Sequence, residues 1–362
     1  MNKRNLGRTQ LRVSELCLNT AEFAWTNDEA DAFALLDIYY AAGGTFIQSV
    51  GFCSDGALNC QCGGRVTAAR LRASQALEND PTRAEACSCA GDSAGLASCS
   101  EDFVGRWHKA RGISRDKLVL ATRLNLFRPV HGGAIAFANL IRESCEHSLR
   151  RLRTDHVDLL ICEWDENLVP VEDAVEAIDM LIRAGLVRHA GAGGFPPWRL
   201  VDSLHRSSGR NHGRFEALQS EYSLMTRARF EAEALAMCRE HRLGFIARSP
   251  LAGGFLARRP VPRRDVINAD LWLNERFGNH YGDSVRSVVA EIAAQRLVSP
   301  AQIALAWVLR NPHVTSALVA ATTPDELGDL LDAVQIRLTD DETGALANVT
   351  TVQDYRMELR HA

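Results

Sequence analysis

Residues 148–162 read Ser148-Leu149-Arg150-Arg151-Leu152-Arg153-Thr154-Asp155-His156-Val157-Asp158-Leu159-Leu160-Ile161-Cys162. Leu149 and Leu152 share one face of a helix. Val157–Cys162 is short, mostly apolar and rich in β-formers, as a buried strand is. A helix that hands over to a buried strand across a short polar turn is one step of a parallel sheet. Working outward, the step recurs. Thr45–Val50 follows a helix that starts near Asp28 and closes at Gly43-Gly44; Leu118-Val119-Leu120-Ala121-Thr122 is a further β-rich run. Val187–Gly194, Phe215–Ser220, Gly244–Ser249 and Thr315–Ala320, with a first strand near Val13–Leu18, bring the set to eight. Ser299-Pro300-Ala301-Gln302 has a capping Ser, Pro at the first helical position and Gln three residues on; Thr323-Pro324-Asp325-Glu326 repeats the device.

The chain has 362 residues. Roughly 250 suffice for one (β/α)8 barrel, so one domain with insertions fits the length as readily as two. Apolar residues make up 46% and charged residues 24%, ordinary for a globular protein. A net charge of −4 offers no electrostatic reason for a nucleic-acid or acidic-membrane partner. The lysines are only Lys3, Lys109 and Lys117, so chemistry that needs an amine must use one of them. The start Met1-Asn2-Lys3-Arg4-Asn5-Leu6-Gly7 carries no apolar signal core, and no run approaches the ~18 apolar residues of a membrane span. The expectation is a cytoplasmic, reducing compartment. Cys17, Cys145, Cys162 and Cys238 lie in periodic segments and read as buried thiols.

Residues 54–99 break the pattern. They hold no Phe, Trp, Tyr, Ile or Met, and are rich in Ala, Ser, Gly, Arg and Cys. Such a segment has little to bury, and reads as a flexible surface insertion after the second strand of a single domain spanning residues 1–362. Cys60/Cys62 and Cys87/Cys89, with Cys53 and Cys99, offer a metal-binding alternative, but Cys-x-Cys is a rare metal spacing and no His lies between Cys53 and Cys99; no metal is expected. Deleting 54–99 and joining the ends with a short Gly linker is expected to leave cooperative thermal unfolding nearly unchanged. A large fall in Tm, or stoichiometric metal lost with the segment, reverses this reading.

Five ordered segments resemble the aldo/keto reductases. Arg4–Ser14 resembles the family's opening hairpin and Ser148–Leu159 its signature leading into the fourth strand. Gln219-Ser220-Glu221-Tyr222-Ser223-Leu224 and Ser249-Pro250-Leu251-Ala252-Gly253-Gly254 resemble the sixth- and seventh-strand ends, and Ser299–Arg310 with Thr315-Ser316 the approach to the eighth. The resemblance spans the chain outside 54–99 and implies an α/β fold of the (β/α)8 TIM-barrel type, and NADP-dependent oxidoreduction.

The family's carbonyl reduction uses a Tyr as proton donor, a Lys that lowers its pKa, an Asp that holds the Lys, and a His beside the substrate oxygen, which is general acid catalysis by a tuned group. Laid on this chain, the resemblance puts Gln48 at the Asp position, Cys53 at the Tyr, Arg123 at the Lys and Glu163 at the His. All four differ. No Tyr occurs between Tyr40 and Tyr222, and no Lys follows Lys117. For the cofactor, the resemblance assigns Gln219 to the carboxamide, Tyr222 to the ring, and the loop from Ser249 to Leu251 to the pyrophosphate. It also places Gly193-Gly194 where a Ser-Asn pair is usual, and Thr322 where an Arg grips the 2′-phosphate. NADP(H) binding is therefore expected to be weak or absent.

Cys53, Arg123 and Glu163 are expected to converge at the barrel mouth. Two readings stay open there. In one, Arg123 depresses the Cys53 pKa and Glu163 serves as acid or base. In the other, which is preferred, Arg123 and Glu163 form a buried ion pair that plugs a dead site. Three functions follow: diverged chemistry on a small molecule, a non-catalytic barrel that binds a ligand or partner, or a reductase with Cys53 or water as proton donor.

Overall fold

In Val157–Trp164 the two faces of one strand go to two different cores. Leu159 and Ile161 lie in one buried cluster; the intervening Leu160 and Cys162 lie in the other. Successive side chains of a strand point to opposite sides, so a strand apolar on both sides needs a filled lumen within and a helical layer outside. The computed structural model describes residues 1–21, 23, 27–50, 100–126, 133–164, 169–210, 212–257 and 271–351. It has that arrangement: a (β/α)8 TIM barrel.

An antiparallel hairpin of β1 (Lys3–Asn5) and β2 (Arg12–Ser14) precedes the barrel. The barrel strands are β3 (Leu16–Asn19), β4 (Phe46–Val50), β5 (Val119–Leu126), β6 (Val157–Trp164), β7 (Val187–Gly193), β8 (Phe215–Glu221), β9 (Gly244–Arg248) and β10 (Val314–Val319). They pair in parallel in chain order, and β10 closes on β3. The run expected near Val13–Leu18 is split: Val13 belongs to the hairpin, and the barrel strand starts at Leu16. Leu6 and Val13 of the hairpin are buried with the lumen side chains. They plug the end at which the strands begin. Gly7 makes this possible. Its φ is +57°, and an added Cβ would sit 2.6 Å from both Arg242 O and Gly244 N.

Outside lie α1 (Glu29–Ala41), α2 (Ser100–Ala110), α3 (Gly133–Leu152), α4 (Val171–Arg183), α5 (Pro197–Arg210), α6 (Leu235–Glu240), α7 (Leu271–Phe277), α8 (His280–Arg296), α9 (Pro300–Arg310), α10 (Pro324–Asp332) and α11 (Asp340–Val349). Asp28 caps α1, and the Ser299/Gln302 capping box of α9 is complete. The box expected at α10 is only half built. Thr323 accepts from Glu326 N, but the Glu326 carboxylate turns to Thr322 instead of the cap backbone.

The sheet is pinned at its starting end. Asp158, 1% exposed, accepts from Leu120 N at 2.9 Å and pairs with Arg115 at 2.7 Å and Arg188 at 3.0 Å. Tyr39 lies in α1, its hydroxyl 2.7 Å from Leu16 O and 2.8 Å from Phe46 O, far from the strand ends that carry the site. Where α2 crosses α3, Gly105 stands so close that an added Cβ would come 2.1 Å from Arg151 O and 2.9 Å from Leu152 C. Ala would gain about 1 kcal/mol in helix propensity, yet the overlap is with backbone that cannot swing away. Gly105→Ala is expected to destabilise by roughly 1–3 kcal/mol net, read as a lower urea midpoint; an unchanged or higher midpoint rules this out.

Cys17, Cys145, Cys162 and Cys238 are buried free thiols, as expected. Burial pushes Cys145 and Cys238 up to about 12. Residues 51–99, with Cys53 and the insertion, lie outside the described residues. No single helix among the described residues is long and apolar enough to cross a membrane.

Candidate functional site at the barrel mouth

The lumen layer contains Phe46, Ala121, Ile161, Ala217 and Ile246, all buried. Two residues further along each strand, on the same face, stand Gln48, Arg123, Glu163, Gln219 and Arg248. The apolar lumen thus ends in a polar layer at the C-terminal mouth, where barrels of this type carry their sites.

Two links cross the lumen in this layer. The Gln48 and Gln219 amides face each other from β4 and β8, opposite strands of the ring. Gln219 Nε2 donates to Gln48 Oε1 at 2.7 Å, and Gln48 Nε2 donates back to Gln219 Oε1 at 3.4 Å. Each is 1% exposed. Beside them, Glu163 joins two arginines. Its Oε2 lies 3.2 Å from Arg123 Nη1 and its Oε1 accepts from Arg248 Nη1 at 3.1 Å. Burial pushes the Arg123 guanidinium below its ordinary value; Glu163 opposes this, and the Arg248 charge adds to it. An arginine nevertheless stays charged. The Nε atoms of Arg123 and Arg248 are buried with no hydrogen-bond partner among the described residues. Glu163 has room because β7 ends in glycine: a Cβ on Gly193 would lie 3.1 Å from Glu163 Cβ, and one on Gly194 3.4 Å from Glu163 Oε1.

Arg123 and Glu163 are thus joined, a pairing common to both open readings, and Cys53, on which they differ, lies outside the described residues. The structure adds Arg248, which the sequence reading passed over. The available signal was its position two residues after Ile246. Toward solvent, Glu221 pairs with Arg276 at 2.6 Å. Burial alone would raise the Glu221 pKa, but Arg276 and Arg248 hold it below the ordinary carboxylate value.

The other cofactor candidates are spread more widely. Ser249 and Leu251 follow β9 at the mouth, in a loop where Ser249 (φ +52°), Ala252 (φ +50°), Gly253 and Gly254 are left-handed. Tyr222 does not join the mouth. It is 1% exposed, stacked on Trp307 of α9 at 5.3 Å, and its hydroxyl donates to Glu231 and accepts from Asn311, each at 2.8 Å. The ring assigned to nicotinamide stacking is a core residue between β8 and the helix layer. Thr322 stands after β10; its N–H and hydroxyl both donate to Glu326 Oε2 at 2.8 Å, and its carbonyl accepts from Asn27 at 2.9 Å. Among the described residues, no cluster of three or more His, Cys, Asp or Glu could hold a metal ion.

Comparison with known proteins follows the same line. A sequence model of the aldo/keto reductase family matches residues 92–350. The uncharacterized oxidoreductase YrpG of Bacillus subtilis is 29% identical over 351 residues, covering 92% of this chain and 91% of the relative. Protein tas of Escherichia coli is 27% identical, covering 98% and 99%. Norsolorinic acid reductase stcV of Emericella nidulans is 27% identical, covering 92% and 77%.

Proposed function

This chain belongs to the aldo/keto reductase family, and from that premise we propose that it has given up tyrosine-dependent carbonyl reduction and uses its barrel mouth for diverged chemistry on a small polar molecule. The observation that carries this is the Arg123–Glu163–Arg248 ion triad. It stands where the family resemblance places the Lys and His of the reducing site, with Gln48 in place of the Asp and Cys53 in place of the Tyr. An apolar plug would have closed the lumen more cheaply than buried charges, which are costly to desolvate. Retained charge supports a ligand site.

The residues present do not fit NADP(H) of ordinary affinity. The Gln219 amide is engaged by Gln48, Tyr222 is packed behind the sheet, and Thr322 offers its donors to a carboxylate where a 2′-phosphate needs a cation. A second reading, a barrel that binds a ligand without transforming it, is favoured by the reciprocal Gln48–Gln219 pair, which places no titratable group at that point in the lumen. Turnover of aldehydes with NADPH, measured beside thermal-shift scans with NADPH, NADP+ and NADH, tests the proposal. No turnover and no stabilisation is the expected result; both together overturn it.

A further inference from the structure

Two guanidinium groups of the mouth share one carboxylate, and neither is satisfied by it. Arg123 and Arg248 each reach Glu163 through a single Nη1 atom, on different oxygens. A guanidinium offers a planar fork of five donors, which pairs best with a carboxylate through two parallel bonds. Here the Nε donors of both forks are buried without a partner among the described residues. The local charge is also unbalanced. Glu221, the neighbouring anion, is held mainly by Arg276 at 2.6 Å, so among the described residues Glu163 is the carboxylate paired with the two inner arginines. The glycines at 193 and 194 add no side chain of their own beside Glu163.

We propose that Arg123 and Arg248 form a carboxylate-binding subsite for the ligand of this mouth, with Glu163 occupying it as an internal counter-ion that a ligand carboxylate displaces or joins. The geometry favours a carboxylate because the arginines already grip one, and a second planar carboxylate meets the same forks. The ligand class is a small organic acid with one end seated on the arginines. This rests on the reading that the mouth is the ligand site. Its test uses no nucleotide and no aldehyde, so its failure leaves the catalytic proposal standing, and loss of that proposal leaves this one testable.

The experiment is isothermal titration of the full chain with succinate, its neutral counterpart succinamide, and inorganic phosphate. Succinate is expected to bind at least ~10-fold more tightly than succinamide. Arg123 is nearly buried and its removal endangers the fold, so the variants are at Arg248, with 29% of its side chain exposed, and at Glu163. Arg248→Gln is expected to weaken succinate roughly 10- to 100-fold, the range of a charge-assisted pair. Arg248→Lys is expected to fall between, because it keeps charge and loses the fork. Glu163→Gln is expected to tighten succinate about 10-fold by removing the competitor. Equal binding of succinate and succinamide, tighter binding of phosphate than of succinate, or full affinity in Arg248→Gln overturns the assignment.

Discussion

Given NADPH and an aldehyde, the purified protein is expected to turn over far below ~1 s⁻¹, a modest rate for an enzyme. Hydride delivered to a carbonyl leaves an alkoxide that must be protonated as it forms. A positioned acid contributes about 10²- to 10⁴-fold to such a step, or roughly 3–5 kcal/mol of barrier. None of the described groups at the mouth is suited to that task. Gln48 cannot ionise and is hydrogen-bonded to Gln219. Arg123, though buried, keeps its proton. Glu163 presents both oxygens to guanidinium groups, so both are occupied as acceptors. Tyr39 and Tyr222 are built into the core. The assay is NADPH oxidation at 340 nm across aliphatic and aromatic aldehydes. A turnover of ~1 s⁻¹ defeats the expectation and moves the Cys53-or-water reductase to the front; loss of that turnover in Cys53→Ser would then name the donor.

For nucleotide binding, weak affinity and little preference between NADPH and NADH are expected. The distinction between them is a single phosphate, and reading it needs a cation. Thr322, the matching position, instead donates two hydrogen bonds to Glu326. This puts a negative charge where the family resemblance puts an arginine. Thr322→Arg is expected to tighten NADPH by up to ~100-fold, two factors of ten at 1.4 kcal/mol each, and to leave NADH nearly unchanged. Glu326 will pair with the new arginine and take part of that gain. Adding Glu326→Gln is therefore expected to tighten NADPH further than Thr322→Arg alone. Isothermal titration of each variant with both nucleotides decides it. Submicromolar NADPH binding by the unmodified chain means that another arginine reads the phosphate. Arg276 is the first candidate, but its pairing with Glu221 argues against it.

The sequence by itself determined the barrel and the layer in which its polar residues lie. Helix-to-strand steps such as Leu149–Cys162 recur often enough to demand a parallel sheet, and period-two alternation carries Ala121 to Arg123 and Ile161 to Glu163 on the inner face. Facing is a local property, because the strand's own geometry sets it. Partnership is not. Gln48 meets Gln219, 171 residues away, and Glu163 meets Arg248, 85 away, only because closure and stagger of the ring bring those strand ends to one level. Arg248 escaped notice for that reason: it stands in the expected strand Gly244–Ser249, but nothing local marks it as a partner of Glu163, and only the closed ring makes it the second cation there. Tyr222 went the other way. Its place after β8 suggested the mouth, but the alternation that turns Gln219 inward turns Tyr222 outward, onto Trp307. Glu326 follows a capping-box spacing, yet the path of the chain after β10 offers it the N–H and hydroxyl of Thr322. A hydrogen bond goes to the nearest unsatisfied donor in space, and tertiary structure decides which donor that is.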